Sequence, residues 1–288
     1  MMEIKFDLAG TVLRVTGPED AMFREPGVLA PFVTDSDRVD REATCAIVKD
    51  FPAPPENCLF HDASRWVYRD GAAVVSFVGS VVNTPDNAYI WVRREGNDTE
   101  IRVKRDAIPD RITPKTLLYG LEAEYLIVQN RGFLFHCSYI EHEGGAILFT
   151  APSGTGKSTQ AELWRQYRNA KVINGDRAAV RLGADGFEAW GVPFSGSSGI
   201  SHYSCLPVRA IVYLSQAPQT AIRVLTGVQA FRKLWEGCSL HTWDREDVSL
   251  CSDTVMKAAL QIPVFHLACT PDESAVLALE QALKQLQR

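Results

Sequence analysis

Ile4, Phe6 and Leu8 alternate with polar neighbours, the two-residue period of a strand with one buried face. From Ala72 to Val82 the chain is apolar with little alternation, as expected of a strand covered on both sides. Two β-rich runs, Tyr89-Ile90-Trp91-Val92 and Ile101-Arg102-Val103, flank the turn residues Glu95-Gly96-Asn97-Asp98 and predict a hairpin within Ala88–Arg105. The prolines of Phe51-Pro52-Ala53-Pro54-Pro55 fix a loop. The pattern changes near Ile108-Pro109-Asp110. Thr113-Pro114 supplies an N-cap followed by proline in the first turn, and Leu117, Leu118, Leu121, Tyr125 and Ile127 share one face of a helix running to about Gln129. Strands are predicted at Phe133–Ile140, Gly145–Thr150, Ala210–Leu214 and Val264–Cys269, and an amphipathic helix from about Asp272 to Gln287 closes the chain. The expectation is a mixed α/β (α+β) protein, with a β-rich region over 1–112 and a second domain over 113–288.

Composition narrows the function classes. The 288 residues are 46% hydrophobic and 23% charged, which suits an ordinary globular chain, and the net charge of -5 argues against sequence-independent nucleic-acid binding. No apolar run approaches the roughly 20 residues that cross a bilayer, and Met1–Leu8 lacks the apolar core of a signal peptide. The seven cysteines are odd in number and contain no CxxC pair, which points to reduced thiols and a cytoplasmic setting. Neither a membrane nor nucleic acid is expected as a partner, and a homo-oligomer is compatible with the sequence.

The chemistry concentrates in Ala151-Pro152-Ser153-Gly154-Thr155-Gly156-Lys157-Ser158, which fits GxxxxGK[ST] except for Ala in the first position. An apolar run, Ala146–Phe149, precedes it. Helix-forming residues from Ser158 and Thr159 to Trp164 follow, which is the strand–loop–helix context the motif requires. In that setting backbone N–H groups and a helix N-terminus face phosphate oxygens, Lys157 neutralises their charge, and the Ser158 hydroxyl can bind Mg²⁺. The alanine matters only if its position needs a positive φ. A second metal-holding acid is expected at the end of a neighbouring strand, and Asp176, after Val172-Ile173-Asn174-Gly175, is the candidate. Asn-Gly-Asp is also ordinary turn chemistry.

Together, Phe135-His136-Cys137, the loop ending in Lys157-Ser158, and Gly175-Asp176-Arg177 resemble the catalytic domain of HPr kinase/phosphorylase and, more loosely, the P-loop fold of phosphoenolpyruvate carboxykinase. The resemblance spans roughly Phe133–Leu214. Gly191–Ile200 and the strand after it look like that family's later loop and strand. The resemblance implies an HPr-kinase-like P-loop core, ATP and Mg²⁺ as cofactors, and phosphoryl transfer to a hydroxyl. The acceptor would be a Ser or Thr of a peptide or protein, or a small metabolite. It implies a phosphate cradle at Ala151, Pro152, Ser153, Gly154, Thr155, Gly156, Lys157, Ser158 and Thr159, with metal at Ser158 and Asp176. His136 or Asp176 would handle the acceptor proton, while Arg209 and Arg177 are candidates for transition-state charge. Two departures are clear. Gly175 replaces the first acid of the family's Asp pair, and the phosphorylase signature is not recognisable between Phe187 and Gly199, so HPr and phosphorolysis are not expected. Gly175 also keeps open a competing class, a non-catalytic module that binds a partner and responds to ATP.

Overall fold

A computed structural model describes residues 1–19, 27–79, 81–107 and 118–286. They form two compact units, Met1–Ala123 and Glu124–Arg288, each with its own sheet. The expected 112/113 boundary, the Thr113-Pro114 cap and Leu117 lie outside the described residues.

The first unit is an eight-stranded mixed sheet. Its strands are β1 (Met2–Leu8), β2 (Thr11–Gly17), β3 (Arg41–Val48), β4 (Asn57–His61), β5 (Arg65–Asp70), β6 (Ala73–Val78), β7 (Ile90–Glu95) and β8 (Asp98–Lys104), in the order β1-β2-β3-β8-β7-β6-β5-β4. Period-two alternation in β1 buries Phe6 and Leu8, whereas β6 is buried at every residue, which is why its sequence shows no polar face. β7 and β8 pair antiparallel around Gly96, whose φ of 59° suits glycine in a tight hairpin turn.

The helix predicted to run unbroken to Gln129 is interrupted. Its last described segment is α1 (Ala123–Gln129), and Glu122 just before it has φ 50°. The cause is electrostatic. The buried Glu122 carboxylate accepts from Arg94 Nε at 2.8 Å and from Ser76 Oγ at 3.0 Å, so the backbone turns to satisfy an ion pair that burial makes obligatory.

The second unit continues with β9 (Gly132–His136), β10 (Ser138–His142), β11 (Gly145–Thr150), α2 (Lys157–Arg168), β12 (Lys171–Asn174), β13 (Arg177–Leu182) and β14 (Phe187–Gly191). β15 (Cys205–Gln216), β16 (Ala221–Leu225), α3 (Gly227–Trp235), β17 (Cys238–Ser239), α4 (Arg245–Gln261), β18 (Val264–Cys269) and α5 (Glu273–Leu286) complete it. The main sheet path is β12-β10-β11-β15-β14-β13-β9-β17, with β18 joining β15 and β16. The single strand expected over Phe133–Ile140 is two, broken at Cys137. β9 pairs with β13 and β17, whereas β10 pairs with β11 and β12.

Most pairings are antiparallel, but β11, β15 and β18 run parallel and end together. Their alternate residues feed two cores, as the pleat requires. Ile147, Phe149, Val212, Leu214, Phe265 and Leu267 meet Trp164 of α2 and Leu279 of α5. Ala146, Leu148, Ile211 and Val264 face the other way, toward Leu234 of α3 and Val255 of α4. Helices thus cover both faces of this sheet, the layering expected when parallel strands are buried on both sides.

Candidate functional site

β11 ends at Thr150, and the chain turns through residues 151–156 into α2. Gly154 has φ 77° and Gly156, the residue preceding the helix, has φ 120°, backbone conformations that L side chains rarely adopt. Ala151 has no positive φ, so alanine is accommodated where the motif more often has glycine. Pro152, Ser153 and Gly154 are exposed and Thr155 is half-buried, while Ser158 and Thr159 are exposed in the first turn of α2. The loop is therefore an open rim in front of a helix N-terminus, with the backbone polarity that favours anions.

Lys157 folds back under this rim. Its side chain is buried, and Nζ donates to Ala151 O at 2.9 Å and to Pro152 O at 3.4 Å. Burial lowers the lysine pKa, with Cys137 and Asp176 pulling it upward. The ammonium is thus held in the loop and electrostatically coupled to the neighbouring acid.

Asp176 lies between β12 and β13, and Asn174 shapes the turn that carries it. The Asn174 side-chain oxygen accepts from the N–H of Asp176 at 2.8 Å and of Arg177 at 3.0 Å, while its Nδ2 donates to Val192 O at 2.8 Å. Contrary to expectation, β12 is not next to β11; β10 separates them. His136 is the last residue of β9. Its N–H donates to Gly237 O at 2.8 Å and its carbonyl accepts from Thr150 Oγ1 at 2.9 Å, tying it to the end of β11. His136 Nδ1 stands 3.7 Å from Asp176 Oδ1, and Arg177 Nε lies 3.3 Å from Asp176 Oδ2.

Burial lowers the His136 pKa first, the Lys157 charge lowers it further, and Asp176 opposes both. The imidazole is neutral at neutral pH and able to accept a proton. Cys137 is fully buried and burial pushes its thiol far up, so it offers no nucleophile beside His136. Arg177 also approaches Glu124 Oε1 at 3.9 Å and stacks over Phe194 with its guanidinium 5.4 Å from the ring centre.

Arg209 is not brought to this cluster. Its Nη1 donates to His142 O at 3.2 Å and to Glu143 Oε2 at 2.8 Å, at the turn where β11 begins. The loop follows Thr150, which pairs with Tyr213. Arg209 therefore sits about 13 Å down the sheet, at ~3.3 Å per residue. Parallel pairing of β11 with β15 puts the start of both strands, and Arg209 with them, at the far end from the loop.

Nothing in the sequence pattern marks the cavity beside the loop. It has a volume of about 570 Å³ and is lined by Gly154, Thr155, Gly156, Thr159 and Gln160 from the loop and α2, by residues 214–218 at and just beyond the end of β15, and by Cys269, Thr270 and Pro271 at the end of β18. Buried Gln160 donates from Nε2 to Cys269 Sγ at 3.3 Å and joins α2 to β18. These residues are far apart in the chain. The signal that could have found them is the general tendency of α/β sheets to bind ligands at the carboxyl ends of parallel strands.

Among the described residues no cluster of three or more His, Cys, Asp or Glu could hold a metal by itself, and no helix is long and apolar enough to cross a membrane. No family model matches the sequence, and no curated protein matches it. Among solved structures, the HPr(Ser) kinase/phosphatase from Coxiella burnetii aligns over 53% of this chain and 97% of its own, at 10% identity and a TM-score of 0.32. Likeness at that level carries no argument about this chain.

Proposed function

We propose that the chain is an ATP-dependent phosphotransferase with an HPr-kinase-like P-loop core, acting on a hydroxyl of a peptide, a protein or a small molecule in the cytoplasm. The observation that carries the reading is the Gly154–Gly156 turn with Lys157 beneath it, at the carboxyl end of β11 and in the field of Asp176 and His136. The cavity alongside falls within the roughly 300–1,000 Å³ of small-ligand sites and has room for a nucleoside.

Loop amides and Lys157 would hold the β- and γ-phosphates. The donor set suits Mg²⁺ rather than a self-sufficient metal cage, since that ion is commonly held by one or two carboxylates together with phosphate oxygens and water. Ser158 and Asp176 would supply the protein's share, and the ion, when bound, would supply charge neutralisation at the phosphates. Neutral His136 would accept the acceptor's hydroxyl proton, with Asp176 stabilising the imidazolium that results. Arg177, rather than Arg209, is the cation near this end of the sheet.

A second reading, an ATP-responsive module without transfer, is favoured by Gly175. The space a side chain there would occupy is taken by Ser198, so the turn offers one acid only. The two readings separate on γ-labelled ATP consumption measured with a Ser/Thr peptide library and with a small-alcohol panel, beside Lys157→Ala. Label transfer that Lys157→Ala abolishes supports the kinase. Tight ATP binding with no transfer to any member of either set refutes it and leaves the module.

A further inference from the structure

The Asn174-Gly175-Asp176 turn is backed by a second turn, Gly196–Ser198, on the segment between β14 and β15. The two meet twice, each time with a glycine on one side. A Cβ at Gly175 would overlap Ser198 Oγ and come within 2.7 Å of Ser198 Cβ. A Cβ at Gly196 would stand 2.8 Å from Cβ, Cγ and Oδ1 of Asp176. Real Cβ atoms essentially never approach backbone or packed side chains so closely, so neither turn can be displaced or enlarged without moving the other.

The second turn is itself well fixed. Ser198 Oγ donates to Ser195 O at 2.7 Å and accepts from Ile200 N at 3.2 Å. The segment is stitched to β12 by His202 N to Ile173 O at 3.0 Å, and Ser201 Oγ shares Val192 O, at 2.8 Å, with Asn174. Asp176 is thereby confined on one flank by Gly196 and on the others by His136 and Arg177.

We propose that Gly196 and Ser198 are positioning residues that fix the Asp176 carboxylate for its role at the phosphate site. This rests on the reading of Asp176 as the acid shared with Mg²⁺. The interlock explains the lone acid as well, since Ser198 holds the volume that a longer residue at 175 would need.

The test compares ATP turnover as a function of Mg²⁺ in the full chain with ATP affinity measured without metal, which depends on the loop and Lys157 alone. Gly196→Ala introduces the Asp176 contact, and Gly196→Asn does so with a residue that tolerates left-handed φ. Gly199→Ala is the control, because Gly199 has φ 67° but nothing within 4 Å of an added Cβ. Both Gly196 variants are expected to need about tenfold more Mg²⁺ or to lose up to about 10²-fold in turnover, the cost of an ångström-scale misplacement. Their metal-free affinity is expected to stay near wild type, and Gly199→Ala to keep the wild-type Mg²⁺ dependence.

Gly175→Ala should behave like the Gly196 variants, because its Cβ displaces the Ser198 side chain. An unaltered Mg²⁺ profile in both Gly196 variants, or in Gly175→Ala, overturns the proposal while leaving the kinase reading intact. A wild-type protein that binds no ATP overturns that reading and the proposal with it.

Discussion

Replacing Lys157 with alanine separates a lysine that serves the fold from one held ready for a ligand. Its Nζ donates to Ala151 O at 2.9 Å and Pro152 O at 3.4 Å, contacts that look structural. Hydrogen bonds to a charged donor are worth about 1.5–3 kcal/mol each. Against this stands burial, which lowers the lysine pKa and so disfavours the ammonium in the folded chain. Pro152 lies on the exposed rim, where water can take over its carbonyl, whereas Ala151 is buried. The two effects nearly offset, so the ligand-free melting temperature of Lys157→Ala should change by no more than a few degrees. Nucleotide binding should behave differently. One ammonium–phosphate contact at about 1.5–3 kcal/mol corresponds to roughly 10- to 150-fold in Kd. Calorimetric titration with ATP and Mg²⁺, beside thermal melts without ligand, measures both quantities. An unchanged Kd refutes the phosphate site. A ligand-free melting point lowered by more than about 8 °C, or roughly 2 kcal/mol and more for a chain of this size, makes Lys157 a structural residue instead.

Two further outcomes follow from the same geometry. Arg209→Gln should leave ATP affinity and turnover within about twofold of wild type and cost at most about 1 kcal/mol of stability, since it breaks only a partly exposed pair with Glu143; a large loss of turnover would return Arg209 to the site. His136, His142 and His266 all have pKa values lowered first by burial. The unfolded chain therefore takes up protons before the folded one, and the stability these groups contribute is present above the ordinary histidine value and is lost as pH falls through the lowered ones. Urea unfolding at about pH 7.5 and about pH 5.5, either side of that value, should show the loss, smaller in His136→Gln, and a stability that rises on acidification contradicts it.

What could be read from the sequence was local. The apolar run to Phe149, the glycines and the Lys-Ser pair each follow from neighbours a few residues away, and the structure has strand, loop and helix in that order. β18 and the β7–β8 hairpin were legible for the same reason. The break at Cys137 was not, because residues 133–140 are buried almost throughout, and a strand covered on both faces carries no alternation to mark its end. Glu122 escaped notice because its partner, Arg94, is distant in sequence and propensity alone favours a continuous helix. The distance of Arg209 from the loop was not legible either, because the end of the sheet a residue occupies depends on whether the neighbouring strand runs parallel.

That direction decides where chemistry can occur in the second unit. A sheet of mainly antiparallel pairs has strand ends of both polarities on each edge, with small net dipoles. β11, β15 and β18 finish side by side at the same edge, and there β11 leads through a glycine turn into α2. The polar ends of the helix, the buried ammonium and the 570 Å³ cavity therefore coincide at one place. His136 and Asp176 reach it from strands of different pairing, β9 and the β12–β13 turn, which meet through the Cys137 N–H donating to Asp176 O at 3.0 Å. The break at Cys137 is what makes this possible: a continuous strand from Phe133 to Ile140 would keep β9 and β10 in one ladder and leave no backbone donor to draw the acid against the histidine.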